Sequence, residues 1–141
     1  MPCAVTRQSA KLSSMTGASN IVVFVCQHGA FRSRIAAAYF NQAAPSGWTA
    51  ISAGVTPQAE ISDRLAPLMA GTGAEDFIDD DLPRALPRGA AARMIAIDAE
   101  LPGAELWRTA DQPPATDQQL RDEIRKRVTR LVSELATTTD L

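Results

Sequence analysis

The sequence predicts an α/β fold built on a parallel sheet. Residues 21–25 ("IVVFV") form a continuous apolar run, which is typical of a strand buried on both faces. An Ala-rich helical pattern follows over residues 33–42, and further short strands then alternate with helical segments. This alternation indicates βαβ units with right-handed crossovers, in which ligands bind beyond the carboxyl ends of the strands.

The remaining strands and the middle helix are predicted to be short. The predicted strands are residues 48–52, 93–97 and 106–107. Ser62 or Asp63 can cap a helix that runs to about Met69, where the sequence "GTG" ends it. The segment 76–92 is irregular and acidic and then predicts one further short helix.

The last helix has the clearest pattern in the chain. Thr116 and Gln119 have the spacing of a capping box, which marks the start of a helix. Apolar residues then fall on one helical stripe, which would face the core. They are Leu120, Ile124, Val128, Leu131, Val132 and Leu135.

Length and composition are those of an ordinary globular domain. The chain has 141 residues, of which 45% are hydrophobic and 21% charged, and its net charge is −2. This charge argues against a nucleic-acid partner or an anionic membrane surface. No apolar run approaches the roughly 20 residues that span a bilayer. We therefore expect no nucleic-acid or membrane partner, and a monomer or weak homodimer.

The first 19 residues are small and polar and lack the apolar segment of a secretory signal. We interpret residues 1–19 as a flexible extension and residues 20–137 as one globular domain. The two cysteines are Cys3, in this extension, and Cys26, at the end of the first strand. A disulfide between them is poorly motivated, so a reducing, cytoplasmic setting is the simpler interpretation. Two cysteines and one histidine are too few for a zinc site, and no cofactor is expected.

The segment after the first strand carries the candidate chemistry. Cys26 is followed five residues later by Arg32 and Ser33, in a loop between a buried strand and a helix. Backbone N–H groups can converge there on an anion, and the guanidinium of Arg32 fits two oxygens of a tetrahedral oxyanion. These groups favour the thiolate of Cys26, and Ser33 can donate a hydrogen bond to its sulfur. The pattern indicates a nucleophile within an oxyanion-binding loop.

"VFVCQHGAFRS" resembles the active-site loop of the low-molecular-weight protein tyrosine phosphatases and the related arsenate reductases. "SAG" at Ser52–Gly54 resembles the "SAGT" segment of that family, with Val55 in place of threonine, and the likeness covers about residues 20–135. It implies a flavodoxin-like three-layer fold, with a four-stranded parallel sheet and helices on both faces. It also implies a metal-free reaction through a cysteinyl-phosphate. The implied oxyanion-binding loop comprises Gln27, His28, Gly29, Ala30, Phe31, Arg32 and Ser33.

The resemblance also implies a general acid. The family has an aspartate in a "DP" motif before the last helix, and Asp111 in "TADQPPATD" is the match. Such an acid is needed because an ester oxygen leaves poorly unless it is protonated. Gln112 stands where the family has proline. Asp117 is the competing carboxylate, which is better interpreted as a first-turn residue of the last helix.

Several positions depart from the family pattern. His28-Gly29 stands where the family loop has Gly-Asn, whose asparagine pins the loop; Gly29 can adopt positive φ, but it lacks that side chain. His28 is either a pH-sensitive cation at the site or a residue that hydrogen-bonds the loop backbone. Phe31 replaces a common second cysteine, so Cys26 lacks that partner against oxidation. Arg34 replaces a common proline, and we expect it to be a solvated helix residue rather than a charge at the mouth of the site.

Three functions remain open from the sequence. The first is a phosphatase with Cys26, Arg32 and Asp111 as catalytic residues, acting on a phosphorylated protein or a small phosphoester. The second is an arsenate reductase that uses an external small thiol; residues 92–107 contain no cysteine, which argues against a thioredoxin-coupled relay. The third is a catalytically weak oxyanion-binding regulatory module. Phosphate, arsenate or sulfate would bind in all three.

Overall fold

The sheet has four parallel strands in the order β2-β1-β3-β4. The structure is a computed structural model that describes residues 20–79, 83–86, 93–109 and 116–139. The strands are β1 Asn20–Cys26, β2 Trp48–Gly54, β3 Arg93–Ile97 and β4 Glu105–Trp107. All four predicted strands are confirmed. β2 extends past its predicted end because Cys26 of β1 pairs with Gly54, which brings "SAG" beside the candidate nucleophile.

Three α-helices accompany the sheet in the described residues. They are α1 Arg32–Ala43, α2 Leu65–Met69 and α3 Asp117–Thr139, and a 3₁₀ turn spans Glu75–Phe77. The expectation that Ser62 or Asp63 caps α2 is wrong, because this helix begins only at Leu65. The N–H of Ser62 donates to the carbonyl of Ala30 at 3.2 Å, and this tertiary bond holds Ser62 in a turn before the helix.

The two faces of the sheet carry two apolar clusters. On one face Phe24 and Ile95 pack with the buried residues of all three helices. On the other face Val23 and Val25 pack with Leu86 and other apolar side chains outside the helices. The α/β fold with an all-parallel sheet is therefore confirmed. The further helix predicted within 76–92 falls largely outside the described residues, as does the proposed extension 1–19.

Helix α3 begins with the predicted capping box. The N–H of Gln119 donates to Thr116 Oγ1 at 3.0 Å, and the N–H of Thr116 donates to Gln119 Oε1 at 3.0 Å. Leu120, Ile124 and Leu135 on its stripe are buried in the core, so the amphipathic prediction is confirmed. No helix in the described part of the chain is long and apolar enough to cross a bilayer.

Removal of this cap gives a test of the local structure. We expect Thr116→Ala to lower the free energy of unfolding by about 1 kcal/mol, because the N–H of Gln119 loses its acceptor. Urea unfolding of the two proteins measures the difference. A combined Thr116→Ala and Gln119→Ala variant should lose less than the sum of the single changes, since the two bonds form one motif. Strict additivity would contradict a cooperative cap.

Candidate active site

The structure brings Cys26, Arg32 and Ser33 together. Cys26 ends β1, and Arg32 and Ser33 begin α1, so residues 27–31 form a short connection across the carboxyl end of the sheet. Ser33 Oγ lies 3.2 Å from Cys26 Sγ, and the N–H of Ser33 lies 3.4 Å from the same sulfur. Both groups donate to the sulfur when it is a thiolate. Cys26 is 4% exposed and forms no disulfide within the described residues.

Five consecutive carbonyls, those of residues 26–30, accept hydrogen bonds from outside the loop. Their donors, in order, are the N–H groups of Val55, Thr56 and Gln58, the Nε of Arg34 and the N–H of Ser62. The donor–acceptor distances run from 2.8 to 3.2 Å. These bonds turn the carbonyls of residues 26–30 away from the centre of the loop.

The amide N–H groups of the loop face the opposite way. In a trans peptide the N–H of each residue points away from the carbonyl of the residue before it. The N–H groups of residues 28–31 therefore point toward the interior of the loop, and no described residue accepts a hydrogen bond from them. Converging amides of this kind form an anion-binding concavity.

The loop lies directly against the end of β2. Gly29 has a φ of +66°, the left-handed conformation that its sequence position predicts, and a Cβ on it would lie 2.8 Å from the nitrogen of Gly54. A Cβ on Gly54 would lie 2.6 Å from the nitrogen of Gly29 and from the carbonyl carbon of His28. Two glycines are needed here because the backbones themselves are in contact.

Arg32 is oriented by a carboxylate that the sequence analysis missed. Its Nε lies 3.2 Å from Asp98 Oδ2, an ion-pair distance. The Nε is buried, and no described residue forms an aligned hydrogen bond with it. Asp98 follows β3 in a left-handed conformation with a φ of +52°, and its carboxylate accepts hydrogen bonds from the N–H and the hydroxyl of Thr109.

His28 is exposed and turned toward the segment after β2. Its Nδ1 donates to the carbonyl of Thr56 at 3.2 Å, and Gln27 Nε2 donates to the hydroxyl of the same threonine at 3.2 Å. This geometry favours the interpretation of His28 as a backbone-bonding residue.

The pocket beside Cys26 is small, and its lining is about equally polar and apolar. Its volume is about 160 Å³. It is lined by Cys26, Gln27, His28, Ala30, Phe31, Arg32, Gln58, Ser62 and Arg64. The guanidinium of Arg64 lies 4.3 Å from the centre of the Phe31 ring and binds Asp117 through two hydrogen bonds of 2.9 and 3.1 Å. Phe31 is thereby covered and 8% exposed, so it presents no open aromatic wall to a substrate.

Solved structures with this fold include arsenate reductases and a protein tyrosine phosphatase. An arsenate reductase from Archaeoglobus fulgidus is 28% identical, with a TM-score of 0.64 over 79% of this chain and 98% of that one. A low-molecular-weight protein tyrosine phosphatase from T. tengcongensis is 18% identical, with a TM-score of 0.61 over 82% and 99%. A thioredoxin-dependent arsenate reductase from Corynebacterium glutamicum is 23% identical, with a TM-score of 0.70 over 90% and 67%.

The chain has the fold of the low-molecular-weight phosphatases and arsenate reductases. No protein-family model and no curated protein matches it. The assignment of the fold therefore depends on the likeness to these solved structures. It agrees with the family resemblance of the loop sequence around Cys26. Both enzyme classes occur among the structural relatives, so the fold alone does not distinguish them.

Within this phosphatase and arsenate-reductase fold, the candidate acid Asp111 lies outside the described residues. The competing carboxylate, Asp117, is the first residue of α3, as interpreted from the sequence, and is held by Arg64. Cys3 also lies outside the described residues.

Two further arginines and one aspartate near the site were not predicted from sequence. The expectation that Arg34 is solvated is wrong, since this side chain is 1% exposed. Arg64 comes from a different part of the chain, and no local pattern links it to Cys26. Asp98 had a usable signal: it directly follows the third strand, at the edge of the sheet where ligands of such folds bind.

Proposed function

We propose that this protein is a metal-free, cysteine-dependent phosphatase of the low-molecular-weight protein tyrosine phosphatase type. The observation that carries the proposal is that Cys26, whose Sγ lies 3.4 Å from the N–H of Ser33, begins a loop in which the carbonyls of residues 26–30 all turn outward. Such a loop directs amide N–H groups at a bound oxyanion beside a nucleophile. The proposed catalytic unit spans residues 20–137, and its reduced thiol suits a cytoplasmic setting.

Cys26, Arg32 and Ser33 have distinct proposed roles in the first step. The thiolate of Cys26 attacks phosphorus, and the S–P bond forms as the bond to the ester oxygen breaks. Arg32 and the loop amides bind the non-bridging oxygens, where charge lies in the transition state. Ser33 Oγ, 3.2 Å from the sulfur, stabilises the thiolate when it leaves again.

Asp111 is the proposed general acid and base. It gives its proton to the leaving ester oxygen in the first step. In the second step its carboxylate takes a proton from water, the water oxygen attacks phosphorus, and the S–P bond breaks to release phosphate and the Cys26 thiolate.

Hydrolysis of para-nitrophenyl phosphate between about pH 4 and pH 8 tests the acid assignment. We expect Asp111→Asn to lower kcat/KM by about 10²- to 10⁴-fold and to remove the fall in kcat/KM with rising pH that a required protonated acid causes. Asp117→Asn is the comparison, because Asp117 is the other carboxylate near this segment. A larger loss in Asp117→Asn than in Asp111→Asn would overturn the assignment of Asp111.

A second candidate is an arsenate reductase that uses an external small thiol, favoured by the small size of the pocket and by the 28% identical relative. In this reaction Cys26 Sγ would attack the arsenic of arsenate, and one arsenate oxygen would leave as water. A thiol would then attack the Cys26 sulfur, forming a mixed disulfide as arsenite leaves with the electron pair. A second thiol would release Cys26, so two thiols are oxidised to a disulfide per arsenate. The chain has only Cys3 and Cys26, which argues against an internal cysteine relay.

Thiol-dependent formation of arsenite separates these two reactions. Arsenite produced with glutathione, in the absence of phosphatase turnover, would support the reductase. Turnover of aryl phosphate without arsenite would support the phosphatase. Binding of phosphate without either reaction would favour the regulatory module.

A further inference from the structure

Arg34 is the most unusual buried side chain near the loop. It lies in the first turn of α1 and is 1% exposed, although arginine is almost always solvated or paired. Burial of a guanidinium is costly unless its N–H groups are hydrogen-bonded. Arg34 Nε donates to the carbonyl of Gly29 at 2.8 Å, and its Nη1 donates to the carbonyl of Asp79 at 2.5 Å.

The acceptor at Gly29 distinguishes Arg34 from the other donors to the loop. The carbonyls of residues 26, 27, 28 and 30 are held by backbone N–H groups, whereas that of Gly29 is held by a side chain. Gly29 is also the loop residue with a positive φ, where glycine has the greatest freedom to rotate. The Gly29–Ala30 peptide is thus the part of the loop that most needs an added restraint.

The orientation of the Gly29–Ala30 peptide determines whether a bound anion contacts an N–H donor or a carbonyl oxygen. With the Gly29 carbonyl bound to Arg34, the N–H of Ala30 points into the loop. Rotation of the peptide plane would withdraw that N–H and direct the carbonyl oxygen at the anion. An attractive donor would be replaced by a repulsive acceptor.

The second acceptor of Arg34 is itself anchored to the sheet. The carboxylate of Asp79 binds Arg84 at 3.0 Å, and the carbonyl of Arg84 accepts a hydrogen bond from the N–H of Gly54 at 2.9 Å. Gly54 is the residue whose backbone touches Gly29. Arg34 is therefore fixed from two sides, which makes it a rigid support for the loop.

We propose that Arg34 is a positioning residue that holds the Gly29–Ala30 peptide with its N–H toward the oxyanion. From its position in helix α1, Arg34 supplies a restraint on this peptide that the loop side chains themselves do not provide. The inference rests on the proposed oxyanion site, but it does not depend on which reaction follows binding.

Phosphate binding to the full chain, measured by calorimetry, tests the inference. We expect Arg34→Met to weaken phosphate binding by roughly tenfold or more, because a hydrogen bond to an anion is lost. Addition of guanidinium ion to Arg34→Ala should restore part of the affinity. The matched control is Arg121→Met, since Arg121 also donates to a backbone carbonyl, that of Leu68 at 3.0 Å, away from the loop. It should lose stability without losing affinity.

A measurement on the unaltered protein covers the case in which the Arg34 variants do not fold. The amide proton of Ala30 should shift downfield in NMR spectra as phosphate is added. An Ala30 amide that does not respond, or equal phosphate affinity in folded Arg34→Met, would overturn the role of Arg34. A protein that binds phosphate but turns nothing over would contradict the proposed phosphatase and leave the role of Arg34 standing. Failure of the unaltered protein to bind phosphate or arsenate would overturn both.

Discussion

Cys26→Ser is expected to abolish hydrolysis of para-nitrophenyl phosphate, by about 10⁴-fold or more, because a serine hydroxyl is a far weaker nucleophile than a thiolate. Phosphate binding should persist in this variant. The loop carbonyls are held outward by donors that the substitution does not touch. A serine hydroxyl carries no charge that could repel the anion, so the affinity for phosphate should be equal or higher.

Steady-state kinetics and calorimetry on the same preparation measure both effects. Cys3→Ser is the matched control, because it removes the other thiol of the chain and should leave turnover unchanged. Turnover that survives in Cys26→Ser would contradict the assignment of the nucleophile. Loss of phosphate binding together with turnover would instead indicate that the sulfur itself supports the loop.

Gly54→Ala is expected to have a large effect on both anion binding and stability. The new Cβ would lie 2.6 Å from the nitrogen of Gly29 and from the carbonyl carbon of His28, both of which are backbone atoms. Neither can rotate away, so the loop or β2 must shift. We expect phosphate affinity to fall by at least about tenfold and the free energy of unfolding to fall by about 1 to 3 kcal/mol.

Gly71→Ala is a suitable comparison for this prediction. Gly71 has a φ of +81°, so alanine is strained there, but a Cβ would meet no atom within 4 Å. Thermal unfolding should record a loss of stability in both variants, whereas calorimetry should record a loss of phosphate affinity in Gly54→Ala alone. Unchanged affinity in Gly54→Ala would show that close contact between Gly29 and Gly54 is not needed for anion binding.

Features that depend on residues close together in the sequence were predicted well. The buried run of β1 and the capping box of α3 are local patterns, and both are confirmed. The contact of Ser33 with Cys26 followed from their positions at the two ends of one short loop. The length of β2 and the late start of α2 were missed because they depend on tertiary bonds to β1 and to Ala30.

The rest of the site depends on residues that are distant in sequence. Arg34 was expected to be solvated, but one of its acceptors is the carbonyl of Asp79, which lies 45 positions away. Arg64 and Asp98 reach the site from after β2 and from the end of β3. A charged residue in a sequence does not show which carbonyl or carboxylate the fold will place beside it.

The outward hydrogen bonds of the loop link anion binding to the folding of the sheet. Four of the five donors lie in residues 55–62, after β2, so the loop acquires its shape only when β2 has paired with β1. An oxyanion that binds the finished loop must then favour this pairing through thermodynamic linkage. The amide protons of Val55, Thr56 and Gln58 should consequently exchange more slowly with solvent when the anion is bound, although they point away from it.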